Sequence, residues 1–236
     1  MNADLPVKKN ERSGHRRVAF YGGSFDPVHN GHLSIARDLS EMFAFDNFWF
    51  VPAFHAPHKV RARPTSAYDR FAMLCLITRD STRISVSKME IESPERPFTF
   101  ETLTALNKHL DPNEIFFVMG ADSWMEITTW RNWQKVLGLS NHIVMTRPGI
   151  SISDSHVTPE IRSRIVDISG LGPADSSKIT AGLSKTGETT IYFTDSVNIS
   201  ISATAIRKKI RNSESDWKSD VPEEVAKYIE KYQIYT

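Results

Sequence analysis

Residues 115–119 read Ile-Phe-Phe-Val-Met, five apolar side chains without a polar interruption. A strand with one face in water alternates apolar and polar residues, so this run belongs to a strand buried on both faces. Strands of that kind sit in parallel sheets covered by helices on each side. The rest of the chain fits the pattern. Residues 18–21, 48–51, 84–88, 142–146 and 190–194 are further short strand-like runs. Helical spacings lie between several of them: Leu33, Ala36, Leu39 and Phe43 from about Gly31, then Phe71, Leu74 and Cys75 within 69–78. A third helix carries Leu103, Leu106 and Leu110, with Thr99 as its expected cap and Asp111-Pro112 as its stop. Strand and helix thus alternate about five times. That is the order of an open parallel α/β sheet.

Residues 150–189 break this rhythm. Thr158-Pro159-Glu160 signals one helix, with Ile161, Ile165 and Ile168 on its apolar side. Residues 169–188 are rich in Gly, Ser and Thr and are expected to form a surface excursion. Two helices are expected at the end. One starts near Ser202; the other starts near Asp220, where Asp220 and Glu223 have capping-box spacing ahead of Val225, Tyr228, Ile229 and Tyr232.

The chain has 236 residues, enough for one domain with a substantial core. Its net charge of +1 gives no overall pull toward nucleic acid or an anionic membrane, so any anion site must be local. Cys75 is the only cysteine, which excludes an intramolecular disulfide and a multi-thiolate zinc site. No apolar run approaches membrane-spanning length. Residues 1–17 are polar and basic and lack the apolar stretch of a secretory signal. They are expected to be a flexible extension of a cytoplasmic protein. A main domain over 18–199 and a small helical part over 200–236 would follow.

Two segments carry chemistry. Gly22-Gly23-Ser24-Phe25-Asp26-Pro27-Val28-His29-Asn30-Gly31-His32 leaves the first strand and opens the first helix. Glycines let a backbone approach a phosphate, and a helix N-terminus offers it unpaired N–H groups. His29 and His32, three apart, share a helical face and can donate to phosphate oxygens. The plain alternative is a glycine turn with two incidental histidines; a zinc site lacks a convincing third ligand. The second segment is Asn198-Ile199-Ser200-Ile201-Ser202-Ala203-Thr204-Ala205-Ile206-Arg207. There Ser202 is a natural cap, and Thr204 and Arg207 can turn a hydroxyl and a guanidinium toward the same anion. The alternative is an ordinary capped helix with a solvated basic face.

Together the two segments resemble the signatures of the nucleotidyltransferase superfamily, (His/Thr)-x-Gly-His and Ile-Ser-x-Thr-x-x-Arg. Between them lie Val51-Pro52, His55-Ala56-Pro57-His58-Lys59, Gly120-Ala121-Asp122-Ser123-Trp124, Trp130 with Trp133, and Arg147-Pro148-Gly149. This ordered set is similar to the bacterial nicotinate mononucleotide adenylyltransferases. It covers nearly the whole chain from Val18 to Tyr235. The resemblance implies an α/β, Rossmann-like three-layer nucleotidyltransferase fold with a parallel sheet and a small helical C-terminal part completing the ATP site. It implies adenylyl transfer from ATP to nicotinate mononucleotide, giving deamido-NAD and pyrophosphate, with Mg²⁺ carried mainly by the ATP phosphates.

The same resemblance implies residue roles. His29, His32 and Arg207 would act at the reacting phosphates. Gly22, Gly23, Gly120, Asp122, Ser202 and Thr204 would complete the ATP site, Asp122 by accepting from ribose hydroxyls. Ser24 and Lys59 would meet the mononucleotide phosphate, Trp130 would stack on the pyridine ring, and backbone groups of Thr99 and Arg131 would recognise its carboxylate. Asp122 read alone is a helix cap, Trp130 a core residue and Lys59 a loop charge. No charge in the sequence separates nicotinate from nicotinamide, and the oligomeric state is not legible. The rivals are an adenylyl- or cytidylyltransferase with another phosphate acceptor, such as pantetheine phosphate, a fragment of a class I aminoacyl-tRNA synthetase, and a non-catalytic nucleotide-binding module.

Overall fold

In the computed structural model, β1 (Val18–Gly23) and β4 (Ile115–Gly120) lie side by side at the centre of one sheet. The structure describes residues 16–54, 65–92, 98–111, 114–146, 152–183, 188–196 and 201–236. From β1 the chain runs through α1 (Asn30–Met42), β2 (Asn47–Pro52), α2 (Ala67–Thr78), β3 (Ile84–Val86) and α3 (Thr99–Leu106) to β4. It continues through α4 (Ala121–Met125), α5 (Trp133–Val136), β5 (Asn141–Met145), α6 (Pro159–Arg162), β6 (Ile165–Asp167), α7 (Ser176–Gly182) and β7 (Ile191–Thr194). It ends in α8 (Ala203–Arg211) and α9 (Glu223–Tyr232).

The sheet has seven strands in the order β3-β2-β1-β4-β5-β7-β6. Each of the six pairings is parallel. Alternate residues of each central strand enter opposite layers, as a pleat requires. Ala19, Tyr21, Phe116 and Val118 pack on one side with Ala36, Leu39 and Met42 of α1, Met73 and Leu74 of α2, and Val225 and Ile229 of α9. Val18, Phe20, Ile115 and Phe117 pack on the other with Leu103 and Leu106 of α3, Trp124 of α4 and Val136 of α5. The result is three layers around a doubly covered sheet.

The connection to β2 and β3 proceeds to one side of β1, and that to β4 and β5 to the other. The chain therefore reverses direction between β1 and β4, and at such a reversal the carboxyl ends of two strands part and leave a crevice. The register shows the parting. β1 pairs with β4 only as far as Tyr21 and Val118, yet each strand continues with its outer neighbour, to Gly23 opposite Pro52 and Gly120 opposite Met145. Both glycine-containing ends open onto this gap.

Four local expectations need correction. Phe98, not Thr99, occupies the cap position of α3, and Thr99 is its first residue. The helix capped by Thr158 stops at Arg162, after which Ile165 enters the edge strand β6 instead of continuing an apolar helix face. Asp220 caps nothing. Its carboxylate accepts from Lys209 Nζ at 3.0 Å, and α9 starts behind Pro222. Finally, much of the stretch 169–188 is structure: α7 and the short 3-10 turn before it pack on α1, burying Ile179. Residues 1–15 lie outside the described residues.

The packing of α7 is testable. Ile179→Ala, at a position 5% exposed, should lower the unfolding free energy by about 2–3 kcal/mol, as a core isoleucine does. Val166→Ala, on the edge strand and 43% exposed, should change it by less than about 0.5 kcal/mol. Urea melts read by fluorescence would give both values; equal, small effects would return α7 to the status of a surface loop.

Candidate active site

The crevice is lined first by the segment between β1 and α1. Glycine fits two crowded positions at the end of β1. A Cβ on Gly23 would lie 2.8 Å from the Phe25 ring, and one on Gly22 would lie 3.2 Å from the Phe117 ring. Phe25 itself has φ 48°, left-handed backbone that a phenylalanine rarely adopts. Its ring is buried edge-on against Tyr21, Phe50 and His32. The two glycines thus have a packing reason in addition to any approach to a ligand.

His29 holds the cap position of α1, and His32 lies one turn in. Their rings stack with centroids 3.7 Å apart. The His29 backbone N–H donates to His32 Nδ1 at 3.2 Å. A neutral imidazole accepting at Nδ1 carries its proton on Nε2, so His32 offers an Nε2–H donor. Burial keeps both rings neutral near pH 7. It lowers His29 from the usual imidazole value to about 4, against an upward pull from Asp220. Burial, with His29 alongside, holds His32 well below the ordinary range. His29 Nδ1 is buried without a partner. The first turn of α1 carries no acidic residue, so its positive end is left for an anion.

α8 delivers the second segment to the same loop. Ser202 caps α8, accepting from the Ala205 N–H at 3.5 Å. Arg207 Nη2 donates to Thr204 Oγ1 at 3.2 Å, and Nη1 donates to the Asp26 carbonyl at 2.5 Å. The Asp26 carboxylate accepts from the Tyr235 hydroxyl at 2.7 Å and lies 3.9 Å from the Arg207 guanidinium. Asn30 at the start of α1 donates to the Ser219 carbonyl at 2.9 Å, a further tie to the C-terminal part. His29, His32, Ser202, Thr204 and Arg207 are thereby gathered around one loop.

A second group lines the other side. Gly120 ends β4, and Asp122 is exposed in the first turn of α4. Trp130 is half-buried, its ring edge-on to Phe117 with centroids 6.3 Å apart and its Nε1 buried without a partner. Phe117 is the ring that Gly22 makes room for, so Gly22, Phe117 and Trp130 form one contiguous wall. The Arg131 side chain lies over the Phe98 ring and pairs with Glu101 at 3.1 Å. It is therefore brought to the first turn of α3, where Thr99 starts the helix. Ser24 is half-buried beside β1. Lys59, with His55 and His58, and residues 147–149 lie outside the described residues.

Three residues of this site escaped the sequence reading. Asp26 was part of the first segment but had no role, and Tyr235 carried no local signal. Arg70 did carry one. It shares the buried face of α2 with Met73 and Leu74, where a charge needs a reason.

Among the described residues, no three or more His, Cys, Asp or Glu side chains come together to hold a metal. The donors at the crevice suit phosphate oxygens, and the neighbouring carboxylates Asp26 and Asp220 are engaged by Tyr235 and Lys209. A divalent cation here would be held by the phosphate oxygens of a ligand and by water, and would supply neutralisation of phosphate charge. No helix of the described residues is long and apolar enough to cross a membrane.

Known proteins share this arrangement of chain. The sequence model of the Cytidylyltransferase-like family matches residues 20–209. A protein of Desulfatibacillum aliphaticivorans named "Probable nicotinate-nucleotide adenylyltransferase" is 33% identical over 221 residues, spanning 93% of this chain and 99% of that one. Its counterpart from Corynebacterium glutamicum is 30% identical over 222 residues, spanning 93% of this chain and 88% of that one. Plasmodium falciparum nicotinic acid mononucleotide adenylyltransferase, solved in complex with NaAD, shares the fold with a TM-score of 0.64 at 20% identity, over 94% of this chain and 98% of that one. The chain belongs to the cytidylyltransferase-like family and, within it, to the nicotinate-nucleotide adenylyltransferases.

Proposed function

We infer that the protein transfers the adenylyl group of ATP to nicotinate mononucleotide, forming deamido-NAD and pyrophosphate. The convergence of the stacked His29–His32 pair, the open end of α1 and Arg207 on one loop is the observation that supports this activity. Relatives named as probable nicotinate-nucleotide adenylyltransferases, matched over most of their length, support the choice of acceptor. An oxygen of the mononucleotide phosphate attacks the α-phosphorus of ATP; the α–β phosphoanhydride bond breaks, and pyrophosphate leaves with the electron pair. The nucleophile arrives as an anion, so the protein needs no nucleophile or strong base of its own. Its work is alignment and donation to the phosphate oxygens.

Neutral imidazoles suit that work. A donor that is already uncharged can be buried in the crevice without a counterion and still direct an N–H at developing charge. His29 and His32 are assigned to the ATP phosphates with Ser202, Thr204 and Arg207; Gly22, Gly23, Gly120 and Asp122 complete that side. Ser24, with Lys59, is assigned to the acceptor phosphate. Trp130 is assigned to the pyridine ring, and Thr99 and Arg131 to its carboxylate. Arg131 already has its side chain on Glu101, which leaves its backbone as the group to offer.

The direct test is formation of dinucleotide and pyrophosphate from ATP, Mg²⁺ and either nicotinate or nicotinamide mononucleotide. The nicotinate form should have the higher kcat/KM; equal values would remove the acid preference, and no product with either would remove the reaction. His32→Ala should lower kcat by about a hundredfold or more, the effect of losing one transition-state donor. Trp130→Ala should raise the KM for the mononucleotide by about tenfold, in line with the loss of one base–aromatic stack, while the KM for ATP stays put. A change confined to ATP would remove Trp130 from the acceptor site.

The buried imidazole also sets a pH dependence. His29 takes up its proton near 6.5 in the unfolded chain but only near about 4 when folded. The unfolded state therefore binds more protons between those values, and stability rises with pH across that window. The melting temperature should fall between pH 7 and pH 5, and His29→Gln should reduce that fall. An unchanged fall in the variant would place the acid sensitivity elsewhere.

A further inference from the structure

Arg70 is 1% exposed, and its guanidinium is committed to backbone carbonyls. Nη1 donates to Ser24 O at 2.6 Å, Nη2 to Ala53 O at 2.6 Å and to Phe54 O at 3.2 Å, and Nε to Thr65 O at 3.1 Å. Burying a guanidinium is costly unless its donors are met. Met73 and Leu74, on the same face of α2, cover the sheet with apolar side chains alone.

What the charge does is visible at the ends of the strands. β1 and β2 pair as far as Gly23 and Pro52, and the Ala53 N–H makes a last bond to the Gly23 carbonyl at 2.9 Å. There the ladder ends. Arg70 joins the two chains just beyond it, through the carbonyls of Ser24, Ala53 and Phe54. The Ser24 carbonyl belongs to the peptide that enters Phe25, whose left-handed backbone persists only where its surroundings fix it. By contrast, His29 and His32 are held by α1 and by each other, and Arg207 by Asp26 and Thr204. None of those hydrogen bonds involves Arg70, whose link to that junction is the through-space attraction of its charge to Asp26 and Tyr235.

We propose that Arg70 is a positioning residue for the acceptor phosphate, acting by fixing Ser24 at the end of β1. The assignment rests on Ser24 meeting the mononucleotide phosphate, as proposed above. Arg70 touches no substrate; its effect reaches the acceptor through the backbone.

The test is steady-state kinetics of Arg70→Lys, with Arg70→Gln as the second variant, each checked for folding by circular dichroism and melting. Lysine keeps the charge but cannot reach several carbonyls with a planar fork. The KM for nicotinate mononucleotide should rise at least about tenfold, the weight of one or two well-placed hydrogen bonds, with the KM for ATP changed less than about threefold. Nicotinate riboside, which lacks the phosphate, should inhibit wild type and variant with the same constant. A loss of kcat with both KM values unchanged, or an equal rise in both, would make Arg70 a purely structural residue. Failure of both variants to fold would do the same. Wild-type turnover with nicotinate mononucleotide is measured first, so failure of the reaction itself is distinguishable. A normal mononucleotide KM in Ser24→Ala would separate a wrong Ser24 contact from a wrong Arg70 role.

Discussion

The hydrogen bond from Arg207 to the Asp26 carbonyl joins residues 181 positions apart, and it is what turns two separate segments into one site. Neither segment is sufficient by itself. The loop after β1 supplies a helix N-terminus and two imidazoles, whereas α8 supplies a hydroxyl and a fixed positive charge. Tyr235 adds to the same junction from the last turn of the chain, bonding the Asp26 carboxylate. The C-terminal helices are thereby clamped on the loop that opens α1. Such pre-arranged donors would need little reorganisation when a polyphosphate arrives.

The site occupies its place because of topology. The sheet reverses direction between β1 and β4, and their pairing ends before either strand does. Gly22 and Gly120 lie in the strand ends beyond the last pair. Phe117 fills the space beside Gly22 and meets Trp130, so this wall of the crevice is continuous with the core below it. On the other side, Arg70 continues the β1–β2 connection past its ladder. One crevice thus has two supports of different kind, an aromatic wall and a buried guanidinium.

The parts of the fold that sequence made legible are those governed by local pattern. The unbroken run at 115–119 is β4, and the glycine-ended run from Val18 is β1, each within a residue or two of its expected bounds. Ser202 caps α8 as its hydroxyl at the helix start suggested. Errors arose where tertiary contacts decide. Ile165 and Ile168 continue a helical spacing on paper, but pairing with β7 draws residues 165–167 into an edge strand. α7 resembles a polar loop because it is made of Ser, Lys, Thr, Ala and Gly around a single buried apolar residue, Ile179. Asp220 had capping spacing, yet Lys209 claims its carboxylate. At the crevice, the grouping of His29, His32 and Arg207 was legible from the two motifs. Asp26 and Tyr235 are joined by a bond across 209 residues that no local pattern encodes, whereas Arg70, a charge on the buried face of α2, has partners 5 to 46 residues away.

A structure of the protein with a non-hydrolysable ATP analogue and Mg²⁺ would test the assembly of the phosphate site most directly. The triphosphate should lie at the start of α1, with His32 Nε2 about 2.7–3.2 Å from a phosphate oxygen, and Arg207 should remain bonded to the Asp26 carbonyl. A triphosphate bound away from the β1–β4 crevice, or one that leaves both imidazoles without a phosphate contact, would contradict it.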